Sequence, residues 1–172
     1  MKLIYRLNIK ILRFLNLFPR TREPVNAFIK YLEIKSLEKK GEYEEARRKR
    51  SAAILTIKTK YQGPILRSEG YDKLYRLSDY EGAIRAFEKA EIAMEGSPFL
   101  YGVSEPHSVI SGVAIAAVYS GDIEKATVYR DKLSEMYERW KKEFPSSDSL
   151  KWFDKTITWI NNAINANKAK DG

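Results

Sequence analysis

The stretch Asp79-Tyr80-Glu81-Gly82-Ala83-Ile84-Arg85-Ala86-Phe87-Glu88-Lys89-Ala90 decides the reading of the fold. A polar residue at a turn lets the chain reverse, acidic residues just after it favour the positive end of a new helix, and a small alanine lets that helix approach its neighbour closely. The same order of types recurs twice more. Gly41-Glu42-Tyr43-Glu44-Glu45-Ala46 and Gly121-Asp122-Ile123-Glu124-Lys125-Ala126 align with Ser78-Asp79-Tyr80-Glu81-Gly82-Ala83. Three similar turn-and-helix starts in one chain predict a repeated helical hairpin.

The pattern resembles the turn and second-helix start of the tetratricopeptide repeat, with Ala83, Phe87 and Ala90 in the small, aromatic and small packing positions of that family. Ala46 to Ala83 spans 37 residues and Ala83 to Ala126 spans 43, against about 34 in the family. Arg50 and Arg130 stand where Phe87 stands in the middle repeat, and Tyr71 stands where the first helix of a hairpin has a small residue. The resemblance covers residues 24–144. It implies an all-α, right-handed stack of antiparallel helical hairpins, about seven or eight helices in one domain.

It also implies a concave groove lined by the first helix of each hairpin. Residue-by-residue alignment places Phe28, Tyr31, Lys35, Ser68, Asp72, Tyr75 and Ser111 near that groove. Ile115 and Tyr119 align there too, but they lie in the most apolar helix and are expected to be covered by the last one. The Lys/Asn/Arg clamp with which some family members grip a C-terminal carboxylate is missing, because Tyr31, Lys35, Ser68 and Asp72 occupy its positions.

Outward from the repeats, Gln62-Gly63-Pro64, Gly96-Ser97-Pro98 and Pro145-Ser146-Ser147 punctuate further helices. Residues 108–120 are apolar on all sides and too long for a typical strand, so they are expected to form a central helix. The final helix is expected over 147–167 as a cap, with Trp152, Phe153, Ile157, Ile160 and Ile164 as its stripe. The connection over 96–106 carries Phe99, Leu100 and Tyr101, which either tuck onto the core or offer a contact patch.

At the other end, residues 1–18 read as a helix with Lys2, Arg6, Lys10 and Arg13 on one face and Leu3, Leu7, Ile11, Phe14, Leu15 and Phe18 on the other. Its evenly spaced charges argue against a transmembrane span and a cleaved signal peptide. Two readings stand side by side: the apolar stripe packs on the rest of the fold, or the helix lies in a membrane interface. Residues 1–61 carry 16 Lys and Arg against 6 Asp and Glu, while the rest of the chain carries 15 against 17, so the formal charge of +8 belongs to the N-terminal third. Such asymmetry suits an anionic surface as well as simple solvation.

Catalysis and metal chemistry find no support in these residues. The chain lacks cysteine and has one histidine, His107, expected as an exposed or N-terminal helix residue without a carboxylate or nucleophile to serve. No phosphate loop or nucleophile elbow occurs, and no cofactor is implied. Arg47, Arg48, Lys49 and Arg50 form the densest basic run, a candidate contact for phosphates, though four consecutive helical residues point four ways and no aromatics are interleaved. Without cysteines the cytoplasm is the default compartment, and the single glutamine amid abundant Lys and Glu is a bias of proteins from hot environments.

The sequence thus predicts a non-catalytic adaptor or assembly factor that binds a protein or peptide in its groove. The alternative is a peripheral membrane or nucleic-acid binder acting through Lys2, Arg6, Lys10, Arg13, Arg47, Arg48 and Arg50, with the N-terminal helix also open to homodimer formation.

Overall fold

The structure, a computed structural model, describes residues 22–95 and 106–169. The N-terminal helix expected over 1–18 and the apolar connection at 96–105 lie outside the described residues. Those that are described form seven α-helices and no strand: α1 Arg22–Lys40, α2 Tyr43–Thr56, α3 Gly63–Asp72, α4 Tyr80–Glu95, α5 Pro106–Ser120, α6 Ile123–Glu143 and α7 Ser149–Lys168. A single 3-10 turn, Thr59–Tyr61, precedes α3, and a π-helical turn, Lys73–Leu77, follows it.

The three aligned turns share one backbone device. Gly41 at φ +80°, Ser78 at +52° and Gly121 at +81° are the positive-φ positions among the described residues. After α1 the Glu42 amide donates to the Leu37 carbonyl at 3.0 Å and the Gly41 amide to Glu38 at 3.1 Å. After α5 the Asp122 amide donates to Ala117 at 3.0 Å and Gly121 to Val118 at 3.2 Å. Both are Schellman closures, which satisfy carbonyls that a helix end would leave unpaired. At the middle turn the Asp79 amide reaches back to the Lys73 carbonyl at 3.0 Å, a wider closure that follows from the π-turn. Asp79 and Asp122 then cap the next helices, accepting from the Gly82 and Lys125 amides at 2.9 and 3.0 Å. Glu42, one methylene longer, makes no such cap.

Each helix packs against the next in sequence, and α1 with α3, α3 with α5, and α5 with α7 also touch. The odd-numbered helices therefore form one layer and the even-numbered helices the other. α5 sits at the centre, buried over most of its surface as its all-apolar sequence requires. α7 covers it with Phe153, Ile160 and Ile164, and starts at Ser149, two residues later than expected, after a turn in which Ser147 Oγ accepts from the Ser149 amide at 3.3 Å.

Two clusters make the core. The larger gathers around Phe87, fully buried between α3 and α5. Gly70 of α3 and Gly112 of α5 make room for its ring: a Cβ at either would come within 2.7 or 2.6 Å of it. Tyr71 lies edge-on to Phe87 at 5.0 Å, which explains the large residue at a position where a small one is usual. The smaller cluster joins Ala27, Ile34, Ala46, Ala53 and Ile57 of the first hairpin to Ile65 of α3. Gln62 seals it, donating from its side-chain amide to the Ile54 and Ile57 carbonyls at 2.8 and 2.7 Å where α2 ends.

Candidate functional site

Beside the smaller cluster the interior is ionic. Arg50, which aligns in sequence with Phe87, is 3% exposed and donates to Glu38 Oε1 at 2.8 Å and Asp72 Oδ2 at 3.2 Å. Ser68 donates to the same Glu38 oxygen at 2.6 Å, Lys35 pairs with Glu38 Oε2 at 2.5 Å, and Arg47 Nε donates to Asp72 Oδ2 at 2.7 Å. Arg76 reaches Asp72 Oδ1 at 3.5 Å with its guanidinium 4.0 Å from the centre of the Tyr43 ring. One network thus ties α1, α2, α3 and the π-turn together. Arg50 Nε is left without a hydrogen-bond partner.

The balance of forces on the two acids is explicit. Burial pushes the Glu38 carboxyl up, but hydrogen bonds from Lys35 and Ser68, with the charges of Lys35 and the bond from Arg50, outweigh it and hold the group below the ordinary carboxylate range. Asp72 behaves alike: burial raises it, and Arg47 and Arg50 bring it down. Arg47 is in turn held above its ordinary value, chiefly by its hydrogen bond to Asp72.

Above this network the odd-numbered layer opens into a cleft of about 390 Å³ lined by residues of α1, α3, α5 and α7, among them Tyr31, Lys35, Arg67, Tyr71, Ser108 and Trp152. Arg67 spans it, donating to Tyr31 Oη at 3.1 Å and Ser108 Oγ at 3.0 Å, while the Tyr71 hydroxyl donates to the Ser108 carbonyl at 2.9 Å. A second hollow of about 410 Å³ shares Lys35, Ser68 and Tyr71 with the first and continues to Tyr75 and Arg76. Beyond it lies a row of exposed rings. Tyr75 is 62% exposed and stacks 5.9 Å from Tyr71, while Tyr119 is 50% exposed and stacks on Tyr80 at 5.3 Å and near Trp159 at 5.8 Å. Partial burial, and then the charge of Tyr119, raise the Tyr75 phenol above its ordinary value.

Tyr31, Lys35, Ser68 and Tyr75 line these two adjoining hollows. Asp72 and Ser111 are buried beneath them instead, 2% exposed each: Asp72 is drawn in by its arginines and Ser111 by its bond to the Ser108 carbonyl. Phe28 stacks on Tyr31 at 6.3 Å. Tyr119 is stacked on the last helix yet keeps half its surface in solvent, whereas Ile115 is partly buried against the core. Arg67 escaped sequence reasoning altogether, because its hydrogen-bond partners lie 36 and 41 residues away.

The basic run divides by direction. Arg50 and Arg47 turn inward to the carboxylates, so neither is a free contact for an anionic surface. Arg48 remains exposed and pairs with Glu45 at 2.6 Å. Lys2, Arg6, Lys10 and Arg13 lie outside the described residues. His107 opens α5 as expected but is buried, not exposed, with its ring 4.9 Å from Trp152 and 5.0 Å from Phe153, because α7 folds across the helix start. Among the described residues no group of three or more His, Asp or Glu could hold a metal ion, and no helix is long and apolar enough to cross a membrane. No protein-family model, curated protein or solved structure matches this chain.

Proposed function

We propose that this protein is a non-catalytic, tetratricopeptide-like adaptor or assembly factor that holds a protein or peptide segment along the inner face of its odd-numbered helices. One observation carries the reading: a polar cleft runs into a row of exposed rings, Tyr75, Tyr119 and Trp159, on the layer where helices distant in sequence meet. Aromatic rings held on a rigid layer supply contact area at low entropic cost, and helices rather than mobile loops fix their spacing.

The test is retention of a peptide library on the full chain, compared with Tyr31→Ala and Tyr75→Ala and with Leu55→Ala and Ile92→Ala on the even-numbered layer. Loss of retention in the tyrosine variants alone is expected. Unchanged retention in them sinks the groove assignment.

A second reading assigns the basic N-terminal third to an anionic membrane or polyanion, favoured by the recurrence of Lys2, Arg6, Lys10 and Arg13 on one helical face. Flotation of the full chain with liposomes rich in anionic lipid, weakened by salt, is its expected result. Absence of flotation removes it.

A further inference from the structure

We infer that residues 1–18 fold back on α1 as an antiparallel helix and cover its outer face, with Ile4, Leu7, Ile11 and Leu15 seated on Val25, Ile29, Leu32 and Ser36. The basic side chains of that helix then face solvent. This holds whatever the inner face of the molecule binds.

The described neighbours of α1 lie on one side of it. Ala27 and Ile34 join the smaller core cluster, Lys30 reaches Thr56 of α2, and Tyr31 accepts from Arg67 of α3. Lys49 and Ser68 donate to Glu33 and Glu38 on the same side. Among the described residues the contacts of α1 run chiefly to α2, α3 and the 3-10 turn. Val25, Ile29, Leu32 and Ser36 follow one another at helical spacing and lie about 140° to 200° round the axis from Ala27, away from those partners. Even so, this side is covered. Val25 is 1% exposed although it belongs to neither core cluster that the described residues form, and Ile29 and Leu32 are partly buried. The first helix of a repeat stack leaves such a side to water unless a capping element lies on it.

Residues 1–18 fit that side by length, by connection and by pattern. Eighteen residues of helix reach about 27 Å, close to the span of the 19-residue α1. Only residues 19–21 separate them from Arg22, and helices joined by so short a link pack as antiparallel neighbours. Leu15 and Val25 are equally far in sequence from Arg20, as are Ile11 and Ile29, and Ile4 and Ser36. An antiparallel pair therefore sets each of these against its counterpart, with Leu7 falling on Leu32. Lys2, Arg6, Lys10 and Arg13 are carried on the other face. An anionic surface then meets charges on a seated helix, and the apolar stripe is withheld from it. A rival seat is the hollow of about 680 Å³ between α2 and α4, beside exposed Leu55 and Ile92. It lies on the far side of α2, where a three-residue link favours α1 instead.

Because the chain has no cysteine, an introduced pair is read without background. The full chain carrying Ile11→Cys and Ile29→Cys is oxidised mildly in dilute solution and examined by mass and by non-reducing electrophoresis. An intramolecular disulfide is expected, forming about tenfold faster or more than in Arg13→Cys with Ile29→Cys, whose first thiol is on the basic face. Ile4→Cys with Ser36→Cys gives the same result where α1 only exchanges a hydroxyl for a thiol, so the test stands even if the first pair unsettles the fold. Vesicles of anionic lipid leave both yields unchanged. Equal rates for the Ile11→Cys and Arg13→Cys pairs overturn the inference, since an unseated segment links either thiol. Disulfides between two chains overturn it in favour of a second copy on α1. Pairing of Ile11→Cys with Leu55→Cys or Ile92→Cys in preference to Ile29→Cys moves the helix to the other hollow, and loss of the bond on vesicles gives the stripe to the membrane; either result also overturns it.

Discussion

Phe87 and Arg50 each lie four residues after an aligned alanine, Ala83 and Ala46, and hold their helices together in opposite ways. Around Phe87 the contact is dry: the ring fills space vacated by two glycines and is fully buried, which contributes about 3 kcal/mol by area alone. Around Arg50 it is ionic, and there the gain from pairing is offset by the cost of removing charges from water. Apolar contacts of equal size would hold α1, α2 and α3 at least as well. What the ionic version adds is a polar, hydrogen-bonded floor beneath the cleft.

The difference can be broken most strongly at Phe87. Phe87→Ala is expected to lower stability by about 4 kcal/mol through the cavity it leaves, with little dependence on pH, as read by urea denaturation across a pH series. Arg50→Met is expected to cost about 3 kcal/mol at neutral pH because Glu38 and Asp72 lose their central partner. Its pH dependence is expected to be shallower than that of the unaltered protein. In the latter both carboxyls lie below their ordinary values, so their contribution is present at neutral pH and is lost as pH falls below about 4. In Arg50→Met, Glu38 keeps Lys35 and Ser68 and Asp72 keeps Arg47, so both acids are held down less strongly and a smaller part of the stability is lost on acidification. Identical pH profiles for the two proteins would remove the ionic account of the first hairpin.

Smaller effects sharpen the same contrast. Gly112→Ala presses a methyl into the Phe87 ring and is expected to cost about 2 kcal/mol, relieved when Phe87 is replaced by Leu. At the turns, Ser78 adopts a conformation that glycine holds in the other two repeats. Ser78→Gly is expected to raise stability by about 0.5 kcal/mol and Gly41→Ala to lower it by about 1 kcal/mol, both measurable by thermal unfolding.

What was legible in the sequence was local. Gly41, Ser78 and Gly121 align by type and all take positive φ, Asp79 and Asp122 cap as such residues do, and the apolar 108–120 stretch is the central helix. Each of these follows from neighbours within a turn or two. Arg50 was not legible, because a basic run looks solvated until Glu38 and Asp72, 12 and 22 residues away, are brought to it. His107 misled for a similar reason: the rings of Trp152 and Phe153 that cover it come from the last helix. Arg67, whose hydrogen-bond partners Tyr31 and Ser108 come from α1 and α5, leaves no trace in its own sequence neighbourhood.

The central claim, that a partner lies on the inner face over the ionic half, is tested most directly by amide chemical-shift mapping of the full chain titrated with a retained peptide. The account predicts that the largest shifts cluster around Tyr31, Lys35, Arg67, Tyr71 and Tyr75, and that Leu55 and Ile92 on the even-numbered layer are unmoved. Shifts concentrated around Leu55 and Ile92, with the inner face silent, would contradict it.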